Sequence, residues 1–338
     1  MRFAEFVARR VLLALVTLVG LSLLIFYLSR ILPANPGRLA LGPYATQAQV
    51  AAYDRELGLN RPLYEQYFYW LWNFLHGQWG LSIVTKDNVL HDVEIHFPAT
   101  FELITISIIL TSLIGIPLGV IAASRRGKIL SGVVRALWMV GVAIPSFTVG
   151  LGLQVVSSYW FHFNAIIGQI SVPPPTHVTG RLWVDSILTG NWPAFVSTSQ
   201  HLLLPEIALS LAGIGQIAQL TYSGMLDETE EDYYLALKTF GARSFALDFK
   251  YALRSALIPV LTVLGLLYAS LIANAFLVEE VFSWGGLSTY AVTAMQSDDF
   301  NAIVATVIVI GVFYVVLNLL VDLSLGYIDP RIRLGVGH

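Results

Sequence analysis

The sequence predicts an all-α polytopic membrane protein with six transmembrane helices, and three observations lead to this fold class. Of the 338 residues, 56% are hydrophobic and only 12% are charged, and the mean hydropathy is +0.70. A soluble domain has about 25% charged residues, so this chain cannot cover a water-exposed globule. Each of six apolar runs without Asp, Glu, Lys or Arg is near or above the ~20 residues that cross a bilayer. These runs lie at 11–29, 103–124, 136–161, 207–226, 255–278 and 300–321.

The topology follows from the first run and from the basic residues. The first run is longer than the apolar part of a signal peptide, and no clean small-residue cleavage site follows it, so we interpret it as a retained helix. Of the 19 Lys and Arg residues, 13 lie near the termini, at 125–135 and at 238–254. The positive-inside rule therefore predicts that these segments and both termini are cytoplasmic.

We divide the chain into three parts. Residues 1–32 form the N-terminal tail and first transmembrane helix, 33–99 an extracytoplasmic insertion, and 100–338 a five-helix transmembrane core with a cytoplasmic segment at 227–255. Within the insertion, the aromatic-rich stretch 64–74 fits either a helix at the membrane interface or a small packed cap. We expect 162–200 to be an ordered, irregular loop and 283–299 to be either a re-entrant turn or an outside loop.

The sequence contains no arrangement of residues that is typical of catalysis. It has no Walker A glycine loop, no Gly-x-Ser-x-Gly elbow and no cysteine, and its seven His residues are scattered. We therefore predict that the chain is not an enzyme and that it has no catalytic, cofactor or metal site. We also expect no nucleic-acid partner.

The segment 227–255 is polar and lies between two apolar runs. Acidic residues precede its first predicted helix, where they suit a helix N-terminus. Gly241 permits a sharp turn that other residues would strain, and a second helix is predicted from near Ser244 into the next span. Such a loop predicts a compact, folded surface that can receive force from a soluble partner.

This segment resembles the ATPase-docking loop of the membrane subunits of binding-protein-dependent ABC importers, although Leu235–Leu237 stands where Glu-Ala-Ala is most typical. Further motifs resemble the dipeptide and oligopeptide branch of that family, in the same order along the chain. They lie at 57–62, 98–103, 115–119, 125–127, 201–205, 278–284 and 329–331.

The resemblance implies a type I ABC importer permease fold without bound cofactor. It implies a second homologous permease subunit as a heterodimer partner, two cytoplasmic ATPases and an extracytoplasmic binding protein, in a prokaryotic cell membrane. Di- or oligopeptides are the expected solute; oligosaccharides and, less so, nickel are the alternatives within the branch. The residues expected to couple to the ATPases are Ala236, Gly241, Ala242, Arg243, Ser244 and Phe245.

Polar residues within the apolar runs predict a translocation pathway, because such residues are costly in a membrane. Gln216 and Gln219 share one helix face, and Asn274 lies deep in the fifth run. The alternative role for these amides is hydrogen bonding between helices. Glu206 is expected either to face the outer mouth, where it attracts cationic amines, or to pair with a nearby donor; Glu279 is assigned to the same pathway.

Two other classes of membrane protein remain as alternatives. A secondary transporter or channel predicts ionisable relays in the middle of helices and no docking loop, and this sequence has the opposite pattern. A purely structural membrane subunit predicts no polar face within the membrane, which disagrees mildly with Gln216, Gln219 and Asn274.

Overall fold

A computed structural model describes residues 3–30, 41, 44–56, 61–124, 129–243 and 246–328. In these ranges the regular structure is helical, with one isolated antiparallel bridge between Leu81 and Asn88. The helices are α1 (Phe3–Arg30), α2 (Gln47–Glu56), α3 (Leu63–Leu75), α4 (Val89–Ser124), α5 (Ile129–Ala143), α6 (Ser146–Phe161), α7 (Leu182–Leu188), α8 (Trp192–Glu230), α9 (Asp232–Thr239), α10 (Leu253–Phe282), α11 (Leu287–Gln296) and α12 (Phe300–Ile328). A π-helical turn, Leu247–Ala252, leads directly into α10.

Five of the described helices are long and apolar enough to cross a membrane, and there are six crossings if the bent pair of α5 and α6 is counted as one span. The five are α1, α4, α8, α10 and α12. This arrangement confirms the predicted all-α membrane fold. Both α4 and α8 extend well beyond the apolar runs that predicted them, because their outer turns pack against loops of the same chain.

The run 136–161, expected as one helix, is instead divided into α5 and α6, which are bent by 104°. Pro145 explains the break, because proline lacks an amide donor and disfavours helical geometry at the preceding residue, Ile144. The pair nevertheless passes along the bundle. Arg135 in α5 donates to the Tyr222 hydroxyl, whereas Gln154 in α6 donates to the Val281 carbonyl at the opposite end.

Helix α8 is the centre of the bundle and packs against α4, α5, α6 and α10. Small residues allow close approach, as is common between membrane helices. A Cβ atom at Gly119 of α4 would lie 2.5 Å from the Ala218 carbonyl oxygen of α8, and one at Gly141 of α5 would lie 3.0 Å from Cα of Ala212. The contacts of α8 thus fix the positions of the neighbouring helices along the axis of the bundle.

The connections that lie on one end of the bundle contact one another. Asp299, before α12, accepts a hydrogen bond from Ser82 at 2.5 Å, and Gln169 donates to the carbonyl of Trp284. On the other end, Arg10 of α1 forms an ion pair with Asp322 of α12 at 2.8 Å. The start of α1, the end of α12 and α9 therefore share one side, whereas the long insertions share the other.

The insertions contain more helix than the sequence predicted. Helix α4 begins at Val89 and so includes the last part of 33–99, and α7 and the start of α8 lie within 162–200, which was expected to be irregular. The segment 283–299 forms a turn and the short helix α11. Their burial against other parts of the chain, rather than local periodicity, stabilises these elements.

Candidate coupling surface and buried carboxylates

The predicted helix–glycine–helix segment is present between α8 and α10. Asp232 lies in the first turn of α9, where its charge favours the helix N-terminus. Gly241 follows with a backbone φ of +80°, a left-handed conformation that glycine adopts without strain. The π-helical turn then joins the segment rigidly to α10 without an intervening loop.

The segment is attached to the bundle by an apolar cluster. Tyr234 of α9 and Leu247 of the π turn are buried, and they belong to the same cluster as Met225 of α8 and Val120 of α4. The Tyr234 hydroxyl also donates to a carboxylate oxygen of Asp248 at 3.0 Å. Side chains from both halves of the segment therefore pack on the ends of two transmembrane helices.

The opposite face of the segment is exposed and partly apolar. The side chain of Phe240 is 88% exposed and that of Leu235 is 49% exposed. Ala236, Gly241 and Arg243 are also exposed, and Ala242 is half-buried. Ser244 and Phe245, the other two predicted coupling residues, lie outside the described residues. The arrangement presents apolar and basic groups on a surface that is fixed to the bundle behind it.

Glu206 lies in the bundle core rather than on its surface. Its residue exposure is 3%, and its Oε2 atom accepts a hydrogen bond from Ser107 of α4 at 2.5 Å. The other oxygen, Oε1, is buried without a hydrogen-bond partner among the described residues. The contact joins α4 to α8 at the outer half of the membrane-crossing region, which is the pairing alternative considered for this residue.

The three amides predicted for the pathway have different environments. Asn274 is exposed, and its side chain donates to the Ser270 carbonyl one turn earlier. Gln216 and Gln219 are half-buried, and Gln219 donates to Ser223 at 3.2 Å. All three therefore reach the surface of this subunit to some extent, whereas Glu206 does not.

Glu279 is fully buried and holds the turn that follows α10. Its Oε2 atom accepts from the Ser288 amide at 3.0 Å, in the first turn of α11. The hydroxyl oxygen of Thr100 in α4 accepts a hydrogen bond from the neighbouring Leu287 amide at 2.8 Å. Gly286 is required here, because a Cβ atom would lie 2.5 Å from both the Glu279 carboxylate and the Thr100 hydroxyl.

Among the described residues, three further buried carboxylates that the sequence did not indicate accept backbone amides at the same end: Glu102, Asp185 and Asp299. Glu102 accepts from the amides of Trp183 and Val184 at the start of α7. Asp299 accepts from the Ile83 amide at 2.6 Å and also from the Ala302 amide in the first turn of α12. An acid directly before an apolar helix was a usable signal for Asp299 as a helix cap.

Asp185 organises the loop before α7. Burial alone would raise the pKa of Asp185, but hydrogen bonds from the Thr179 hydroxyl and from three amides lower this pKa below its ordinary value. The amides belong to Val178, Thr179 and Gly180. The ionised carboxylate thus stabilises a tight loop at the outer end of the bundle.

The fold and these surfaces define a class: a multi-pass helical membrane subunit with a folded docking segment on one side. The comparisons agree with that class. Residues 115–334 match the family described as "Binding-protein-dependent transport system inner membrane component", and residues 3–104 match the N-terminal family of the same membrane components. The chain belongs to this family of ABC importer permeases, and it is a transport subunit rather than an enzyme.

Several curated relatives are similar over nearly their whole length. The chain is 38% identical over 323 residues to the probable D,D-dipeptide transport system permease protein DdpB of Escherichia coli strain K12, with 94% of each chain covered. It is 32% identical to the dipeptide transport system permease protein DppB of the same strain, covering 97% of this chain and 98% of the relative. The oligopeptide transport system permease protein AppB of Bacillus subtilis strain 168 is 31% identical, with 98% and 99% covered.

Proposed function

We propose that this chain forms half of the translocation pathway of an ATP-driven importer of di- or oligopeptides. The names of DdpB, DppB and AppB, all peptide permeases, support the solute class. A second, homologous permease completes the pathway, two ATPases bind on the cytoplasmic side, and a binding protein delivers the peptide on the other. Import of oligosaccharides through the same architecture is the alternative solute class, and these relatives do not favour it.

The observation that carries this proposal is the docked coupling segment, which the structure describes at 232–243 and 246–252. Its inner face packs on α4 and α8, and it continues into α10 without a loop. A force applied at Phe240 or Gly241 therefore reaches two membrane-crossing helices through packed side chains. When the ATPases close on ATP, the segment moves as a rigid lever and reorients the helices.

We propose that Gln216, Gln219 and Asn274 line the pathway, because Asn274 is exposed and both glutamines are partly exposed on this subunit. Glu206 and Glu279 shape the same pathway from behind. Glu206 holds α4 to α8 and Glu279 holds α11 to the end of α10, so both set the positions of helices that surround the solute.

The orientation in the proposal places both termini and α9 in the cytoplasm. The ion pair between Arg10 and Asp322 supports a common side for the start of α1 and the end of α12. The basic residues at 125–135 and 238–254 supply the positive-inside bias. The long insertions then face the binding protein.

Substitution of Gly241 tests the coupling step. Gly241→Leu forces a residue with a Cβ atom into a left-handed conformation, which costs about 1–2 kcal/mol. Because no atom of the described residues lies within 4 Å of a Cβ atom at Gly241, the strain comes from the backbone rather than from a clash with them. This strain lowers the equilibrium constant for the native turn by about five- to thirty-fold. We expect binding-protein-stimulated ATP hydrolysis and uptake to fall while the subunit still inserts.

Gly241→Asn is the matched control, because asparagine tolerates the left-handed conformation. It is expected to retain most of the activity. Equal uptake by Gly241→Leu and the wild-type protein, together with no cross-link from 235–243 to an ATPase, would contradict coupling through this segment.

Competition experiments test the solute separately. A labelled dipeptide is taken up by proteoliposomes that contain the complete transporter, and unlabelled peptides compete for this uptake. Peptides are expected to compete and cello-oligosaccharides are not. Competition by the sugar alone would refute the peptide assignment while leaving the coupling proposal intact.

A further inference from the structure

Helix α3 has an apolar face that is largely exposed in the described part of the chain, with the ring of His76, just after the helix, lying 4.2 Å from the ring of Trp72. Four of its residues follow one another at spacings of four, four and three positions, so their side chains form one stripe along the helix. Each of these residues is between 63% and 72% exposed. The stripe consists of Tyr64, Phe68, Trp72 and Leu75.

The opposite face of α3 is attached to α1, a membrane-crossing helix. The hydroxyl groups of Tyr67 and Ser22 are 2.8 Å apart. The ring of Phe26 contacts the ring of Tyr67 at 5.4 Å between centroids, edge to face, and the ring of Trp70 at 5.8 Å. These contacts fix the height of α3 relative to α1.

That height lies within the membrane. The apolar run of α1 ends at residue 29, on the side opposite the coupling segment. With a rise of 1.5 Å per residue, Phe26 lies about 5 Å and Ser22 about 10 Å inside this end. An interfacial helix is buried by about the same depth, roughly 5–10 Å, at the boundary between headgroups and acyl chains.

A second attachment prevents α3 from turning its stripe towards the bundle. Phe74 stacks on Trp79 with centroids 4.5 Å apart, and both pack against a cluster that contains Val89 and Ala302. Helix α3 is therefore held by its inner face in its middle and at its C-terminal end. The stripe faces away from the helix bundle.

We propose that α3 lies in the lipid leaflet opposite the coupling segment, with its stripe in contact with lipid at the headgroup–acyl boundary. The surface continues from α1, whose own aliphatic side chains are exposed over its apolar span. Aromatic rings are stable at this depth, and residues 63–75 contain no Lys or Arg and only one acid, Glu65. An apolar stripe at this height that faced water would be unfavourable.

Spin labelling tests this placement in the assembled transporter, reconstituted in liposomes. Because the chain has no cysteine, Phe68→Cys and Trp72→Cys each carry a single nitroxide label. Collisions of the label with oxygen, which concentrates in lipid, are compared with collisions with a water-soluble nickel chelate. Leu15→Cys in α1 and the exposed loop position Asn88→Cys serve as the lipid and water references.

The measured quantity is the ratio of oxygen collisions to nickel collisions for each label. The proposal predicts that this ratio is several-fold higher at positions 68 and 72 than at position 88. Nickel collisions as frequent as those at 88 would place the stripe in water and overturn the proposal. Weak collisions with both reagents would also overturn it, because the stripe would then be covered by the second permease or the binding protein. Tyr64→Cys provides an independent position on the same stripe if either label prevents assembly.

Discussion

The two ends of the helix bundle are stabilised by different interactions. At the end that carries the long insertions, buried carboxylates accept backbone amide hydrogen bonds and thereby fix loops and short helices. Two of these carboxylates bind amides that are far away in the sequence: Glu102 accepts from the start of α7, and Asp299 accepts from the loop before α4. The four carboxylates are those of Glu102, Asp185, Glu279 and Asp299.

At the coupling end, apolar packing predominates. Tyr234 and Leu247 lie in a cluster with residues of α4, α5 and α8, and the hydrogen bond from Tyr234 to Asp248 joins the two halves of the segment. The outer face of this segment, with Phe240, is exposed. This exposed face is the surface that we propose binds the ATPases.

The difference fits the roles that we propose for the two ends in the transporter. Hydrogen bonds to carboxylates are strong and directional, so they hold the receiving end in one geometry. Apolar contacts between helices permit small sliding movements, which is how packed helices commonly shift during domain motions. The comparison suggests that one end is fixed to receive the binding protein, whereas the other transmits movement from the ATPases.

The largest effect is expected at Gly286, on the fixed end. A Cβ atom in Gly286→Ala would overlap the Glu279 carboxylate and the Thr100 hydroxyl, so the turn before α11 must shift. We expect a loss of about 1–3 kcal/mol of stability, as for other overpacked sites. The measurement is thermal unfolding of the purified complex in detergent.

Gly152→Ala is the control for Gly286→Ala. Gly152 lies within α6 on the same side, and no atom of the described residues lies within 4 Å of a Cβ atom added there. It is expected to leave the unfolding temperature unchanged or slightly raised. Equal unfolding temperatures for both variants would mean that the Glu279–Thr100 contact does not hold this end.

A smaller effect is expected from Tyr234→Phe at the coupling end. The change removes the hydrogen bond to Asp248 but retains the ring in its apolar cluster. We expect a loss of about 0.5–1.5 kcal/mol, with a larger relative loss in coupled ATP hydrolysis than in thermal stability. An unaltered ratio of uptake to ATP hydrolysis would indicate that the two halves of the segment need no polar link.

The smallest effect is expected from Glu206→Gln. Glutamine retains an acceptor for Ser107, so the change in stability should be less than about 1 kcal/mol. Because Glu206 is enclosed by the subunit, uptake of cationic and neutral peptides should change by the same factor. A selective loss of cationic peptides would place this carboxylate in direct contact with the solute.

Much of the fold was predictable because it depends on local sequence. Apolar runs longer than 18 residues determine the membrane crossings, and Gly241 between polar helices determines the coupling turn. The bend at Pro145 was foreseeable in kind but not in size. Proline marks where a helix ends, whereas the angle of 104° depends on how α5 and α6 pack against α8 and α10.

The roles of the buried acids were less predictable, because their partners are distant in sequence. Asp299 and Ser82 are 217 positions apart, and Glu102 and Trp183 are 81 apart. An acidic residue within an apolar stretch of sequence indicates that its carboxylate needs a hydrogen-bond partner, but it does not identify that partner. Glu279 was accordingly assigned to the pathway, while its contacts in the fold are with Thr100 and the start of α11.

Single-cysteine labelling on the two ends tests the central claim most directly. In membranes that contain the complete transporter, Asn88→Cys should react with an impermeant reagent added outside, whether or not the ATPases are present. Phe240→Cys should react only when the cytoplasmic face is accessible, and bound ATPases should protect it. Two results would contradict the assignment of these two ends. One is labelling of Phe240→Cys that the ATPases do not change, and the other is labelling of Asn88→Cys only after lysis.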